Sequence, residues 1–325
     1  MSNHRSSHAR LTRAAALFAL VFAGSISVAV ADPVAGTTPS APAATRSEPA
    51  GGSATYTYRT LDYPGSSLTI FWGINDFGEL AGQFSINGGT SHAMVYRHGQ
   101  FEALDPHGVL GAYFSAAGGP NDLGTTYGGY ADATGLQHGF LIQGKHLETI
   151  DFPGHLNSNV DGLNAFGAIA AVYWDADGVY HGVLRRGHGF DTPINVAGAR
   201  DTYPLGLNGN AEVVGYSDTD PAVPHGFYRS ANGQFSTIDV PKASSTVVFA
   251  INDPGQIAGY YVDASGTFHG FVETQKQFHN IDVPGAAATF ATAINNFGVI
   301  AGEYLDATGH RHGFIATPTG SARQN

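Results

Sequence analysis

The sequence has no cysteine. Disulfides, thiolate metal sites and anchoring through a lipid-modified Cys are therefore excluded, and any stable fold must rest on its own apolar core. Only 2 Met stand against 44 Gly in 325 residues, so long helices are not expected. Basic residues are few. Residues 1–31 hold Arg5, Arg10 and Arg13 and no acid, leaving 12 Lys+Arg against 26 Asp+Glu, a net charge of −14. That balance argues against nucleic acid or an anionic membrane as partner. It suits cations or basic partners, or simply a soluble exported protein. Gly-x-Ser-x-Gly, His-Glu-x-x-His and phosphate-binding Gly loops are absent, so no familiar motif supports catalysis.

The one long apolar run, Ala14 to Val30, is short for a membrane span. It follows the three Arg and ends in the small-x-small site Ala29-Val30-Ala31. This reads as a signal peptide over residues 1–31, cleaved before Asp32, and predicts a secreted or periplasmic protein; an uncleaved anchor is the alternative. Residues 32–54 are mostly Ala, Pro, Thr, Ser and Gly and read as a disordered leader. Residues 318–325 read as a flexible tail.

Between these ends the chain repeats. Asn75, Asn121, Asn164, Asn208, Asn252 and Asn295 recur at nearly equal intervals. Each is followed, always at the same offset, by a His: His92, His138, His181, His225, His269 and His312. A third mark, an Asp-containing corner, follows the His at a nearly fixed offset, at Asp105, Asp151, Asp239 and Asp282, with Asn195 in the third copy. After His312 there is none; the missing corner stands at the front, as Asp62. A period of about 44 residues with β-type patterning predicts an all-β, six-bladed propeller of four-stranded blades over residues 55–317. The permuted corner predicts that the N-terminal strand completes the last blade and closes the ring, removing an exposed sheet edge.

In the fifth copy the strands read as 246–252, 256–262, 267–274 and 277–283, with turns at Asn252-Asp253-Pro254-Gly255 and Asp263-Ala264-Ser265-Gly266. Gly and Ala in the second and third strands are expected to admit an aromatic from the next blade. Aromatics nine residues after Asn (Phe84, Tyr130, Tyr173, Tyr261, Tyr304) read as core. The six His read as ties to the corner carboxylates, because a buried polar group needs a partner; Asp62 should pair with His312. Six imidazoles in six blades are too far apart to share one ion. Asp132, Asp175, Asp218, Asp263 and Asp306 read as turn caps.

A residue present in every copy serves the blade, so function is sought where copies differ. The first corner, residues 107–113, is longer and carries His107. Other corners carry His155, Asp161, Arg200, Asp201 and Lys242. These are the candidate ligand-face residues. Asp175 and Asp177 match, by spacing, only a fragment of a calcium loop, and make a divalent cation such as Ca²⁺ a candidate cofactor.

The series Ile-Asn-Asp-x-Gly, Asp-Ala-x-Gly, His-Gly-Phe and Ile-Asp-x-Pro-Gly resembles the bacterial extracellular HAF repeats, named for a His-Ala-Phe triplet. Here the triplets are His92-Ala93-Met94, His138-Gly139-Phe140, His181-Gly182-Val183, His225-Gly226-Phe227, His269-Gly270-Phe271 and His312-Gly313-Phe314. The likeness spans residues 56–317. It implies an exported, propeller-like protein and no particular activity. The expectation is a monomeric, non-catalytic binding or scaffold module for a protein, glycan or small molecule. The alternative is a metal-dependent hydrolase or lyase acting on small sugars or lactones at the central channel, with His107, His155 and Asp201.

Overall fold

The computed structural model describes residues 55–104, 114–155, 157–187, 189–219 and 223–319. The signal-peptide and leader readings, Asp105 and His107 lie outside them. Every regular element among the described residues is a β-strand. The fifth repeat shows the unit: strands Ser245–Ile251, Ile257–Val262, Phe268–Thr274 and Gln277–Asn280 pair antiparallel in chain order. The fourth strand ends earlier than the pattern predicts. Beyond Ile281, whose N–H still reaches the Gly270 carbonyl, the chain turns so that Asp282 can meet His269.

Four sheets are four-stranded. The remaining one has eight strands and consists of two four-stranded units joined by a single parallel bridge, Leu68 to Arg311. One of these units is completed by the first strand, Thr55–Thr60, antiparallel to the last, Arg311–Thr319. Pro318 and Thr319, expected in the tail, belong to that strand because Tyr56 and Thr55 lie opposite them.

Where burial is described, the first strands are mostly buried, as in the third, fourth, fifth and sixth repeats, and the fourth strands mostly exposed, as in the first, second, fourth and fifth, so the repeats stand with their first strands together. Apolar clusters lie between neighbouring sheets. Val248, Ile257 and Phe271 of the fifth repeat pack on Val214 of the fourth, for example. The glycines show why this geometry needs small residues, and correct the expectation about them. A Cβ on Gly259 would lie 2.1 Å from the Val247 carbonyl oxygen, within the same sheet. That carbonyl belongs to a first strand bent by a β-bulge at Phe249. The third-strand glycines do face the neighbour: a Cβ on Gly313 would meet the Phe71 ring at 2.5 Å.

Candidate functional site

The six repeated Asn residues share one task. Each Oδ1 caps its own turn, as Asn164 does by accepting from the N–H groups of Phe166 (3.0 Å) and Ala168 (2.9 Å). Each Nδ2 donates to the main-chain carbonyl of the next Asn. The distances are 3.4 Å to Asn121, 3.2 Å to Asn164, 3.0 Å to Asn208, 3.2 Å to Asn252, 2.9 Å to Asn295 and 3.1 Å from Asn295 back to Asn75. The hydrogen bonds form a closed cycle, which surrounds a cavity of about 210 Å³.

The residue after each Asn builds a second, incomplete collar. The Asp76 N–H donates to Asp122 Oδ1 (2.9 Å), the Asn296 N–H to Asp76 Oδ1 (2.8 Å), the Asp253 N–H to Asn296 Oδ1 (2.8 Å) and the Gly209 N–H to Asp253 Oδ1 (2.6 Å). The third and fourth repeats have Ala165 and Gly209 here, so they bring no side-chain acceptor and the collar is notched. One residue further on, the turns point outward. Phe77, Leu123, Phe166 and Phe297 are 77%, 65%, 83% and 67% exposed, a crown of large apolar side chains around the cavity mouth.

Below the Asn cycle stands the residue three before each Asn: Trp72, Gly118, Asp161, Leu205, Phe249 and Thr292. In five repeats this residue is the one skipped by the bulge in the first strand. Trp72, Gly118, Leu205, Phe249 and Thr292 line the cavity. Tyr127 fills the space beside Gly118 and Gly119 and also lines it, its ring 2.4 Å from where a Gly118 Cβ would stand. Asp161 is not among the lining residues but is close enough for its charge to act on Tyr127; it is only partly exposed. Asn159 donates to its Oδ1; its Oδ2 is buried and has no hydrogen-bond partner. Burial pushes the Asp161 carboxyl up to about 8, against the lowering effect of Asn159. Burial, and then the Asp161 charge, push the Tyr127 phenol up.

Of the corner candidates, Asp161 stands instead at the bulge of its first strand, near Tyr127, while His155, Arg200, Asp201 and Lys242 sit at the other end of the first strands. His155 packs on Tyr173, ring centroids 4.0 Å apart. Arg200 Nη1 donates to the buried Asp201 carboxylate at 2.7 Å, and Asp201 also accepts from the Tyr180 N–H at 2.9 Å. Lys242 adopts φ 68°, where the other corners have Gly65, Gly154, Gly198 and Gly285. That backbone costs a non-Gly residue about 1 kcal/mol.

The repeated His residues bond the corner carboxylates through Nδ1: His138 to Asp151 (2.8 Å), His225 to Asp239 (2.9 Å), His269 to Asp282 (2.9 Å) and His312 to Asp62 (2.8 Å). Three of them have a second carboxylate at Nε2, from residues whose sequence context shows only a turn cap. These are Asp132 at 3.5 Å, Asp263 at 3.4 Å and Asp306 at 3.5 Å. Burial draws His312 down, but the bond to Asp62 and the charges of Asp62 and Asp306 outweigh it and raise the imidazole. In the third repeat, where the corner has Asn195, Asp175 reaches His181 Nε2 at 3.2 Å and caps its turn on the Asp177 N–H (3.0 Å) and the Val179 N–H (3.0 Å). The tyrosines nine residues after Asn are stacked on these imidazoles, as Tyr304 is on His312 at 5.1 Å. Among the described residues no group of three or more His, Asp or Glu is disposed to hold a metal ion.

The collar, the crown and the wall lie away from the candidates His155, Arg200, Asp201 and Lys242, whereas Asp161, also a candidate from the sequence, is close to Tyr127 of the wall. Their signal was present: aligned on Asn, the positions three before, one after and two after are columns in which the copies differ sharply in chemistry.

No protein-family model matches the chain, and no curated protein matches it. Among solved structures it is similar to a triple arginine-to-alanine mutant of AofleA from Arthrobotrys oligospora, at 12% identity and a TM-score of 0.50, over 80% of this chain and 86% of that one. It is also similar to a six-bladed β-propeller lectin of Aleuria aurantia, at 11% identity and a TM-score of 0.40, over 66% and 76%. A gluconolactonase of Xanthomonas campestris matches at 12% identity and a TM-score of 0.45, over 81% and 90%. At such identities the likeness concerns the fold alone, an all-β array of four-stranded sheets.

Proposed function

We propose that this chain is an exported six-bladed β-propeller of the HAF-repeat kind, closed by its first strand, that binds a glycan without catalysis at the mouth of the central cavity. Closure is supported by the pairing of Thr55–Thr60 with Arg311–Thr319 and by the return of the Asn hydrogen bonds from Asn295 to Asn75. Export rests on the basic, apolar and small-residue pattern of residues 1–31.

The observation that carries the binding reading is the crown. Four of the seven large apolar side chains that are exposed among the described residues stand on the six turns around one opening. Exposed apolar patches on a soluble protein mark interaction sites. Between them lie Asp76, Asp122, Asp253 and Asn296, hydrogen-bonding groups held by the collar. Phenyl faces beside carboxylates suit a sugar ring, which offers C–H faces to the aromatic and hydroxyls to the oxygens.

The test is a glycan array followed by calorimetry, with the purified chain and its Phe77→Ser/Phe166→Ser/Phe297→Ser variant. These side chains are exposed, so the variant should keep the fold. Binding of at least one glycan, weakened tenfold or more in the variant, is expected. An empty array, or unchanged affinity in the variant, overturns the proposal.

A further inference from the structure

The cavity inside the Asn cycle is lined unevenly. At the position three before Asn the lining carries Trp72, Leu205 and Phe249 in the first, fourth and fifth repeats, but only Gly118 and Thr292 in the second and sixth. In the cycle of Asn bonds the sixth repeat stands between the fifth and the first. Trp72 therefore reaches past the small Thr292 to meet Phe249, their ring centroids 5.9 Å apart. Leu205 packs in the same apolar cluster. Trp72 and Leu205 are half-buried, so part of their apolar surface stays open. Gly209, a lining residue of the same repeat as Leu205, brings no side chain to the collar, which is thus open on the apolar side. Among the described residues that line the cavity none is Lys, Arg or His, while Asp76, Asp122 and Asp253 stand at the mouth. An anionic group is repelled on its way in and finds no cation inside. An apolar cavity of about 150 Å³ holds a benzene ring. A volume of about 210 Å³ therefore admits one aromatic ring with the atom that links it to a larger ligand, and not a chain.

We propose that the cavity is an aryl subsite, in which an uncharged aromatic ring of the ligand enters past Gly209 and lies against Trp72, Leu205 and Phe249. Two rings already in contact offer a third the offset or edge-on packing that aromatic pairs favour, beyond the gain from removing apolar surface from water. The inference rests on the glycan reading only for what carries the ring. With it, the ligand is an aryl glycoside whose sugar meets the crown while its aglycone fills the cavity; without it, the same subsite takes a free neutral aromatic.

Trp72 is one of two Trp in the chain, the other being Trp174. The full chain carrying Trp174→Phe therefore reports on the cavity through a single indole. It is titrated at pH 7.5 with p-nitrobenzyl alcohol, an uncharged quencher of indole emission, and with p-nitrobenzoate, its anionic counterpart. The parent chain is titrated with the same two by calorimetry. The expected result is saturable quenching by the alcohol, at least tenfold tighter than by the benzoate, with the same preference in the parent. Leu205→Gln, which changes a half-buried position and is checked for folding by its melt, should weaken the alcohol at least fivefold. Phe77→Ser/Phe166→Ser/Phe297→Ser, which leaves the cavity wall intact, should change it less than twofold. Quenching that never saturates, equal affinity for the two probes, or binding that survives Leu205→Gln overturns the aryl subsite. If Trp174→Phe does not fold, calorimetry on the parent and on Leu205→Gln decides by the same criteria. Neither heat nor quenching overturns the subsite and leaves the glycan reading to its own array. Leu205-dependent binding of the alcohol beside an empty glycan array supports the subsite and overturns the glycan reading.

Discussion

Asn295→Asp tests the closure of the structure at a single atom. Aspartate keeps Oδ1, which accepts from the N–H groups of Phe297 (3.1 Å) and Val299 (3.0 Å), so the turn itself is preserved. What changes is Nδ2. Its bond to the Asn75 carbonyl, 3.1 Å and buried, becomes a contact between two oxygens. The lost bond is worth about 1 kcal/mol, and the unmatched buried oxygens add about 1–3 kcal/mol. The total is about 2–4 kcal/mol. For a chain of this size that lowers Tm by about 4–16 °C. Asn164→Asp is the internal comparison, since its Nδ2 meets the Asn208 carbonyl at 3.0 Å in the same buried setting. Urea unfolding and thermal melts of both variants should give the same loss. Asn232→Asp, at an exposed turn, serves as control and should stay within about 0.5 kcal/mol. If Asn295→Asp behaves like that control while Asn164→Asp loses stability, the last repeat does not meet the first through this bond, and the closed cycle is wrong.

The imidazole of His312, raised by Asp62 and Asp306, stabilises the fold fully below its unfolded value near 6.5, and that contribution is lost as pH rises through the higher folded value. His312→Gln should therefore cost more stability at pH 5.5 than at pH 8.5, as read by unfolding at both; equal losses would refute the charge interaction. Asp161 gives a pH slope of the same sign, although here the cause is burial and not a charge partner. Its carboxyl, raised to about 8, keeps a proton that the unfolded chain gives up above about pH 4, so stability falls as pH rises from 4 to 8. Asp161→Asn should flatten that slope, and an unchanged slope would place the burden on other groups. Removing residues 1–62 strips Tyr56 and Tyr58 from the cluster of Val272, Ile281 and Phe314, and leaves Arg311–Thr319 as an open edge. The loss is roughly 2 kcal/mol for each tyrosine, and the truncated chain should elute as aggregate in gel filtration; a stable monomer would refute the role of the first strand.

The repeat spacing was legible because each mark has a local cause. Asn at the turn, Gly at positive φ and short apolar strands are marks set within a few residues, so six copies announce themselves. The pairing of Asp62 with His312 could also be read, since the interval from Asp62 to Asn75 matches that from Asp282 to Asn295. The cavity could not. Whether the bulged residue of a first strand faces a neighbour or a common space depends on how the repeats meet, and the strand pattern is the same in either case. The second carboxylate at His138, His269 and His312 was hidden for a similar reason: Asp132, Asp263 and Asp306 satisfy a local turn, and only the stacking of strands shows their other oxygen meeting an imidazole.

The sequence by itself determined the repeat, the all-β character and the acidic charge, because these follow from composition and from contacts within one period. The tertiary structure alone decided that Trp72, Tyr127, Leu205 and Phe249, drawn from repeats far apart in the chain, line one cavity. The packing of the repeats with their first strands together brings single positions from distant repeats to one place, and no local spacing records that meeting.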